Sequence, residues 1–123
     1  MHYKNKRGLI NQPKYSKFGI TEKNGKVVDV PMDLLVEEYE NKYGEVLLNE
    51  CDYSTLPNTY YGCTKEPEQN KKYIVLEYRN TNLAKNIMNS PHKKIAVLYG
   101  ALHKTGLYAE LQKLDNSWEN VSQ

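Results

Sequence analysis

The 123-residue sequence has little of what usually builds a small core. It holds one phenylalanine and one tryptophan against eleven tyrosines, and hydrophobic residues make up 39%. Its mean hydropathy is −0.79. A core made partly of tyrosine rings has a consequence: each buried hydroxyl needs a hydrogen-bond partner. No apolar run approaches the roughly 20 residues that span a bilayer, so this sequence carries no membrane segment. The first residues are polar and lack the apolar centre of a signal peptide. As given, the chain is expected to be soluble and cytoplasmic, and to be exported or membrane-associated only if an upstream segment is missing. Charge of one sign is lacking too. Seventeen basic and fifteen acidic residues are interspersed and leave a net charge of +2. The one basic stretch, Lys4 to Arg7, reads as a solvated arm, and nucleic acid is not an expected partner. There is no P-loop, GxGxxG, HExxH or GxSxG. The two cysteines, Cys51 and Cys63, have no CxxC spacing. Either they close a tyrosine-rich loop as a disulfide, or they are unrelated thiols. The absence of any export signal favours the second reading.

The length fits one domain. Residues 1–17 read as an N-terminal arm, 18–118 as the domain, and 119–123 as a tail. Asn24-Gly25, flanked by Phe18, Ile20, Val27, Val28 and Val30, suggests a short hairpin or extended loop. Pro31 opens a helix whose face carries Leu35, Tyr39 and Tyr43, and Gly44 stops it. Val46-Leu47-Leu48 suggests a brief strand. Cys51 to Asn70 reads as a long loop. Lys71 to Asn89 reads as a helix with Leu76, Leu83 and Ile87 on one stripe, ended by Ser90-Pro91. A strand at Tyr73 to Tyr78 is the alternative. Lys94 to Tyr99 (Lys-Ile-Ala-Val-Leu-Tyr) has the apolar centre of a strand covered on both faces. Leu107, Leu111 and Leu114 then mark a last helix with Thr105 as its N-cap. Trp118 is expected to pack against the domain. These elements predict an α/β (or α+β) fold: a small mixed sheet with flanking helices.

Two places could carry chemistry. His103 sits in the turn beyond the carboxyl end of the predicted strand, where open α/β sheets bind ligands. Gly100 allows a sharp turn there, and Gly106 a close start to the next helix. An imidazole so placed can ligate a metal, act as a base or ligate haem iron, or simply bond a neighbouring carbonyl. His2 and His92 look exposed. The second place is Arg79-Asn80, which flanks the apolar stripe of its helix. Arginine offers a fork to carboxylate or phosphate, and asparagine can donate to a developing oxyanion. The structural alternative pairs Arg79 with Glu77 or with a carboxylate on another element.

Glu77-Tyr78-Arg79-Asn80 in a helix, followed by Ile95 to Leu98, Tyr99 and Gly100-Ala101-Leu102-His103-Lys104-Thr105-Gly106, resembles the C-terminal part of the TraB/GumN–Tiki superfamily. The resemblance covers residues 73–114, about a third of the chain. It implies a C-terminal half-domain of a metal-dependent, peptidase-like hydrolase. His103 would be metal ligand or catalytic group, Arg79 and Asn80 catalytic, and Gly100, Gly106 and Glu77 would contact ligand. A divalent metal is the implied cofactor, with haem as alternative. The family pattern has an earlier second GxxH, which this sequence lacks. The chain is therefore expected to need a missing N-terminal half or a second subunit. The competing expectations are a non-enzymatic module binding haem, a small anion or a protein, and a degenerate fragment.

Overall fold

A computed structural model describes residues 14–63 and 66–121. The element order is a 3-10 turn Tyr15–Phe18, α1 Met32–Tyr43, α2 Glu50–Ser54, α3 Glu68–Lys72, a π turn Tyr73–Glu77, α4 Tyr78–Met88, a 3-10 turn Ala101–His103 and α5 Lys104–Leu114. The expected sheet is absent: the described residues are helical or irregular and contain no strand. The fold is all-helical rather than α/β.

Each expected strand fails for its own reason. Around Asn24-Gly25 the asparagine side chain outcompetes a hairpin. Its Oδ1 accepts from Thr21 N at 2.7 Å, its Nδ2 donates to Gly19 O at 2.8 Å, and Gly25 N donates to Thr21 O at 2.8 Å. Such local side-chain bonds compete with ladders. Val46 gives its N–H to Glu40 Oε1 at 3.1 Å, and Leu47 is 78% exposed. Lys94 to Tyr99 is not helical, but no second strand lies beside it among the described residues. An apolar β-branched run makes a strand only when it has a ladder to join.

The helices form largely where expected. α1 runs from just after Pro31 to Gly44, whose φ of 98° suits glycine. Leu35, Tyr39 and Tyr43 share its less exposed face, while Leu34 and Val36 are exposed. The loop expected over 51–70 contains α2, whose first turn is held by a capping box of Asn49 and Asp52. Cys51 and Cys63 are disulfide-bonded, with Cα atoms 5.8 Å apart. Closing a loop of this length contributes about 3 kcal/mol in the chain-entropy view. Residues 68–88 form one rod, interrupted by the π turn, where Tyr78 N donates to Tyr73 O. The rod meets α1 through Tyr73: its hydroxyl donates to Glu38 Oε1 at 2.6 Å, and its ring stands edge-on to Tyr43. The last helix begins at Lys104, so Thr105 lies inside it and caps nothing.

α4 and α5 make the core. Asn80, Leu83 and Ala84 of α4 are buried, as are His103 and Leu111 at and on α5. The two helices run parallel. Asn80 at the start of one meets His103 at the start of the other, and Met88 at the end of one meets Trp118 just past the end of the other. Parallel neighbours need a long return, which residues 89–103 supply. Ala84, fully buried, lets the backbones approach. The core is small for the chain. Among the described residues only Leu83, Ala84 and Leu111 are buried apolar side chains. With so few buried aliphatic groups, each matters. Leu83→Ala is expected to cost about 2–5 kcal/mol, read as a lower urea midpoint in the far-UV circular dichroism transition.

Candidate functional site

The site forms where three stretches meet: Val28 to Val30, the start of α4, and Tyr99 to Gly106. Helical spacing turns Arg79, Asn80 and Leu83 toward one side of α4. Asn80 is 3% exposed and His103 is 6% exposed. Their side chains bond directly, Asn80 Oδ1 to His103 Nδ1 at 2.8 Å. The amide oxygen can only accept, so Nδ1 carries the proton. Nε2 is left with its lone pair and has no hydrogen-bond partner among the described residues. The Tyr99 ring lies against the imidazole, centroids 4.1 Å apart.

A second layer holds this pair. Arg79 grips Asp29 with two bonds, Nε to Oδ1 at 3.0 Å and Nη2 to Oδ2 at 2.5 Å. Tyr99 donates its hydroxyl to the same Asp29 Oδ1 at 2.8 Å, and the guanidinium carbon lies 5.2 Å from the Tyr99 ring centroid. Asn82, one helical step on, donates Nδ2 to Val28 O at 2.7 Å, and so fixes the backbone next to Asp29. The order is therefore Asp29 to Arg79 and Tyr99, Tyr99 to His103, and His103 to Asn80.

The charge states follow from this layout. Burial, then the Arg79 cation, push the His103 pKa below the ordinary 6.5, with Asp29 opposing. The start of α5 also disfavours a cation there. His103 is a neutral imidazole near neutrality. The bonds from Arg79 hold the Asp29 carboxyl below its usual range. Burial, then the bond to Asp29, push Tyr99 up to about 12.

Of the residues expected from sequence, Arg79, Asn80, Gly100, His103 and Gly106 converge here. Glu77 does not. Its exposed side chain lies 3.7 Å from the Lys72 amine instead. Gly100 has φ −62° and ψ 138°, ordinary for any residue, so no sharp turn requires glycine there. Gly106 is needed for a different reason. A Cβ on it would collide with Asn80 Nδ2. Asp29 and Tyr99 were not singled out by sequence reasoning. Asp29 stands as one acid among Val27, Val28 and Val30, which is a signal. Tyr99 reads from sequence only as the end of a strand. For a metal, the described residues of this site offer one free nitrogen, His103 Nε2. No group of three or more His, Cys, Asp or Glu side chains that could hold a metal occurs among the described residues. Asp29 is committed to Arg79 and Tyr99. The residues present therefore do not by themselves fit a catalytic metal centre, which usually takes three protein ligands.

Two outcomes follow. Stability should peak between two flanks. Below pH 6.5 the unfolded chain takes up the His103 proton more readily than the folded one, so stability falls with falling pH, and falls again below 3.8 as Asp29 protonates. From pH 10 to about 12 the unfolded chain loses the tyrosine proton first, so stability falls with rising pH. Urea midpoints across pH check this, and His103→Gln should flatten the flank just below 6.5. Gly106→Ala should not gain the roughly 1 kcal/mol that alanine offers a helix, because it displaces Asn80. The ¹⁵N spectrum of His103 should change from one Nδ1-protonated form to a mixture of tautomers.

No protein-family model, curated protein or solved structure matches this chain.

Proposed function

We propose that the chain supplies one half of a TraB/GumN–Tiki-like hydrolase site, with His103 Nε2 as its working atom. The reading is supported by one observation above others. The Asn80 bond at 2.8 Å, with Nδ1 as its donor, leaves the lone pair on Nε2. A depressed pKa keeps it so near neutrality. This is the state needed by a general base or by an imidazole ligand. Of the residues that carry the family resemblance, Arg79, Asn80, Gly100, His103 and Gly106 meet, whereas Glu77 stands outside.

Roles divide by what each group touches. His103 takes a proton at Nε2 from a water or a substrate hydroxyl. Asn80 is a positioning residue, since its carbonyl oxygen is held by the imidazole. Arg79 is one as well, because its guanidinium is held by Asp29. Neither is free to stabilise an oxyanion in this arrangement. The remaining groups of a hydrolytic site come from a missing N-terminal half or from a second subunit. The absence of a second catalytic group among the converging residues favours one other reading: a binding module in which Nε2 ligates haem iron or receives a donor from a partner. A Soret band on haem titration that disappears in His103→Ala would favour it.

Native material carrying this chain, isolated from its source, should hydrolyse a fluorogenic peptide mixture. His103→Ala should abolish that activity. Asn80→Ala should lower it by about 10- to 100-fold, as loss of an orienting partner does, and should shift the acidic limb of the pH profile. Full activity in His103→Ala would reject the hydrolase reading.

A further inference from the structure

The seam between α1 and the rod is built of tyrosines, and it holds a cation. Tyr43 and Tyr73 stand nearly at right angles, with centroids 6.1 Å apart and planes at 81°. Tyr39 lies 5.1 Å from Tyr43, and Tyr78 lies 6.2 Å from Tyr73. The Lys42 ammonium sits over both central rings, 3.2 Å from the Tyr73 centroid and 5.7 Å from that of Tyr43. A ring quadrupole attracts positive charge in this position. Lys42 forgoes a ready partner to take it. Glu38 lies one helical turn earlier, at the spacing where a glutamate pairs best with a lysine. Yet Lys42 makes no ion pair among the described residues. Glu38 accepts the Tyr73 hydroxyl at 2.6 Å instead. That bond draws the phenol proton toward a carboxylate and enriches the ring face in electrons. The bond, then burial, push the Tyr73 pKa up to about 12. Lys42 is exposed and the four rings are only half-buried.

We propose that this tyrosine corner is a binding site for a quaternary ammonium group, and that Lys42 is a resident cation which such a ligand displaces. The fit is chemical. A lysine head carries three N–H donors and is strongly hydrated. A ring face satisfies those donors poorly, so they stay in water. A quaternary ammonium has no N–H to satisfy, and its methyl groups can rest against two ring faces at once. The surrounding charge selects a cation over a neutral molecule of the same shape. Nine of the fifteen acidic residues lie between Asp33 and Glu68, against two of the seventeen basic ones. Glu38 and Glu66 accept the hydroxyls of Tyr73 and Tyr39 in the cluster itself. The corner presents ring faces rather than the set of oxygen or nitrogen donors that a metal ion takes. It uses no atom of the His103 constellation, so it stands or falls apart from the hydrolase reading.

Tetramethylammonium chloride titrated into the full chain should shift the Tyr43 and Tyr73 ring resonances saturably, beyond the effect of sodium chloride at equal ionic strength. The Lys42 ε-methylene protons, shielded while they lie over the ring, should move to their ordinary position as the lysine leaves. Lys42 is exposed, so Lys42→Ala should fold normally. It should bind tetramethylammonium about 2- to 5-fold more tightly, the worth of one exposed cation–ring contact. Tyr73→Leu should abolish the saturable shifts with unchanged circular dichroism. Choline and a trimethyl-lysine peptide should compete, and the tighter of the two tells a free solute from a protein tail as the source. Shifts no greater than those from sodium, binding in Lys42→Ala no tighter than in the wild type, saturable binding by a folded Tyr73→Leu, or competition by neither choline nor the peptide would each overturn the proposal. The Lys42 variant decides the question if Tyr73→Leu does not fold.

Discussion

The hydrogen bond between Asn80 and His103 lies inside the seam on which the described fold depends. The same two helices bury Leu83, Ala84 and Leu111, the only buried apolar side chains among the described residues. A buried amide and a buried imidazole would each cost free energy if left alone. Together they offset that cost and fix the relative height of the two helices. Gly106 sets the spacing at the same point, because the helix can come no nearer than the amide of Asn80 allows. Packing and site are thus the same contact. A change that relaxes the seam necessarily loosens the imidazole.

Around that contact the molecule satisfies its polar groups with tyrosine rather than excluding them. Tyr73 donates to Glu38, Tyr99 to Asp29, Tyr39 to Glu66, and Tyr61 to Asp52. Each joins segments distant in sequence or closes a loop, and each uses a carboxylate as acceptor. This is how a chain with one phenylalanine ties irregular stretches to its helices. The arrangement gives up dense apolar packing for hydrogen bonds that have water as a competitor.

The helices were legible because their signals are local. Pro31 and Gly44 bracket α1, and Ser90-Pro91 ends α4. The stripe of Leu76, Leu83 and Ile87, with Arg79 and Asn80 at its edge, already indicated that the two polar residues turn inward. The sheet was not legible, because a strand is a relation between segments and a sequence run shows only one of them. Ile95 to Leu98 has the composition of a covered strand, yet nothing described covers it with a ladder. The convergence of Arg79, Asn80, His103 and Gly106 could be guessed from order along the chain. The role of Asp29 could not, since fifty residues separate it from Arg79. Of the two readings open for Cys51 and Cys63, the disulfide is the one formed, because folding brings the pair together whatever the compartment signals suggest.

The π turn at Tyr73–Glu77 has a consequence of phase. One extra residue in a turn shifts everything before it by about 100° around the helix axis relative to everything after. Upstream of the turn, Tyr73 is aimed at Glu38 and Tyr43 of α1. Downstream, Asn80 is aimed at His103. A regular α-helix of one residue fewer would aim at one target or the other, not at both. The irregular turn works as a coupling between two shafts set at different angles: it lets a single rod serve a tyrosine cluster at one end and an imidazole at the other, and it ties the length of this stretch to the geometry of both.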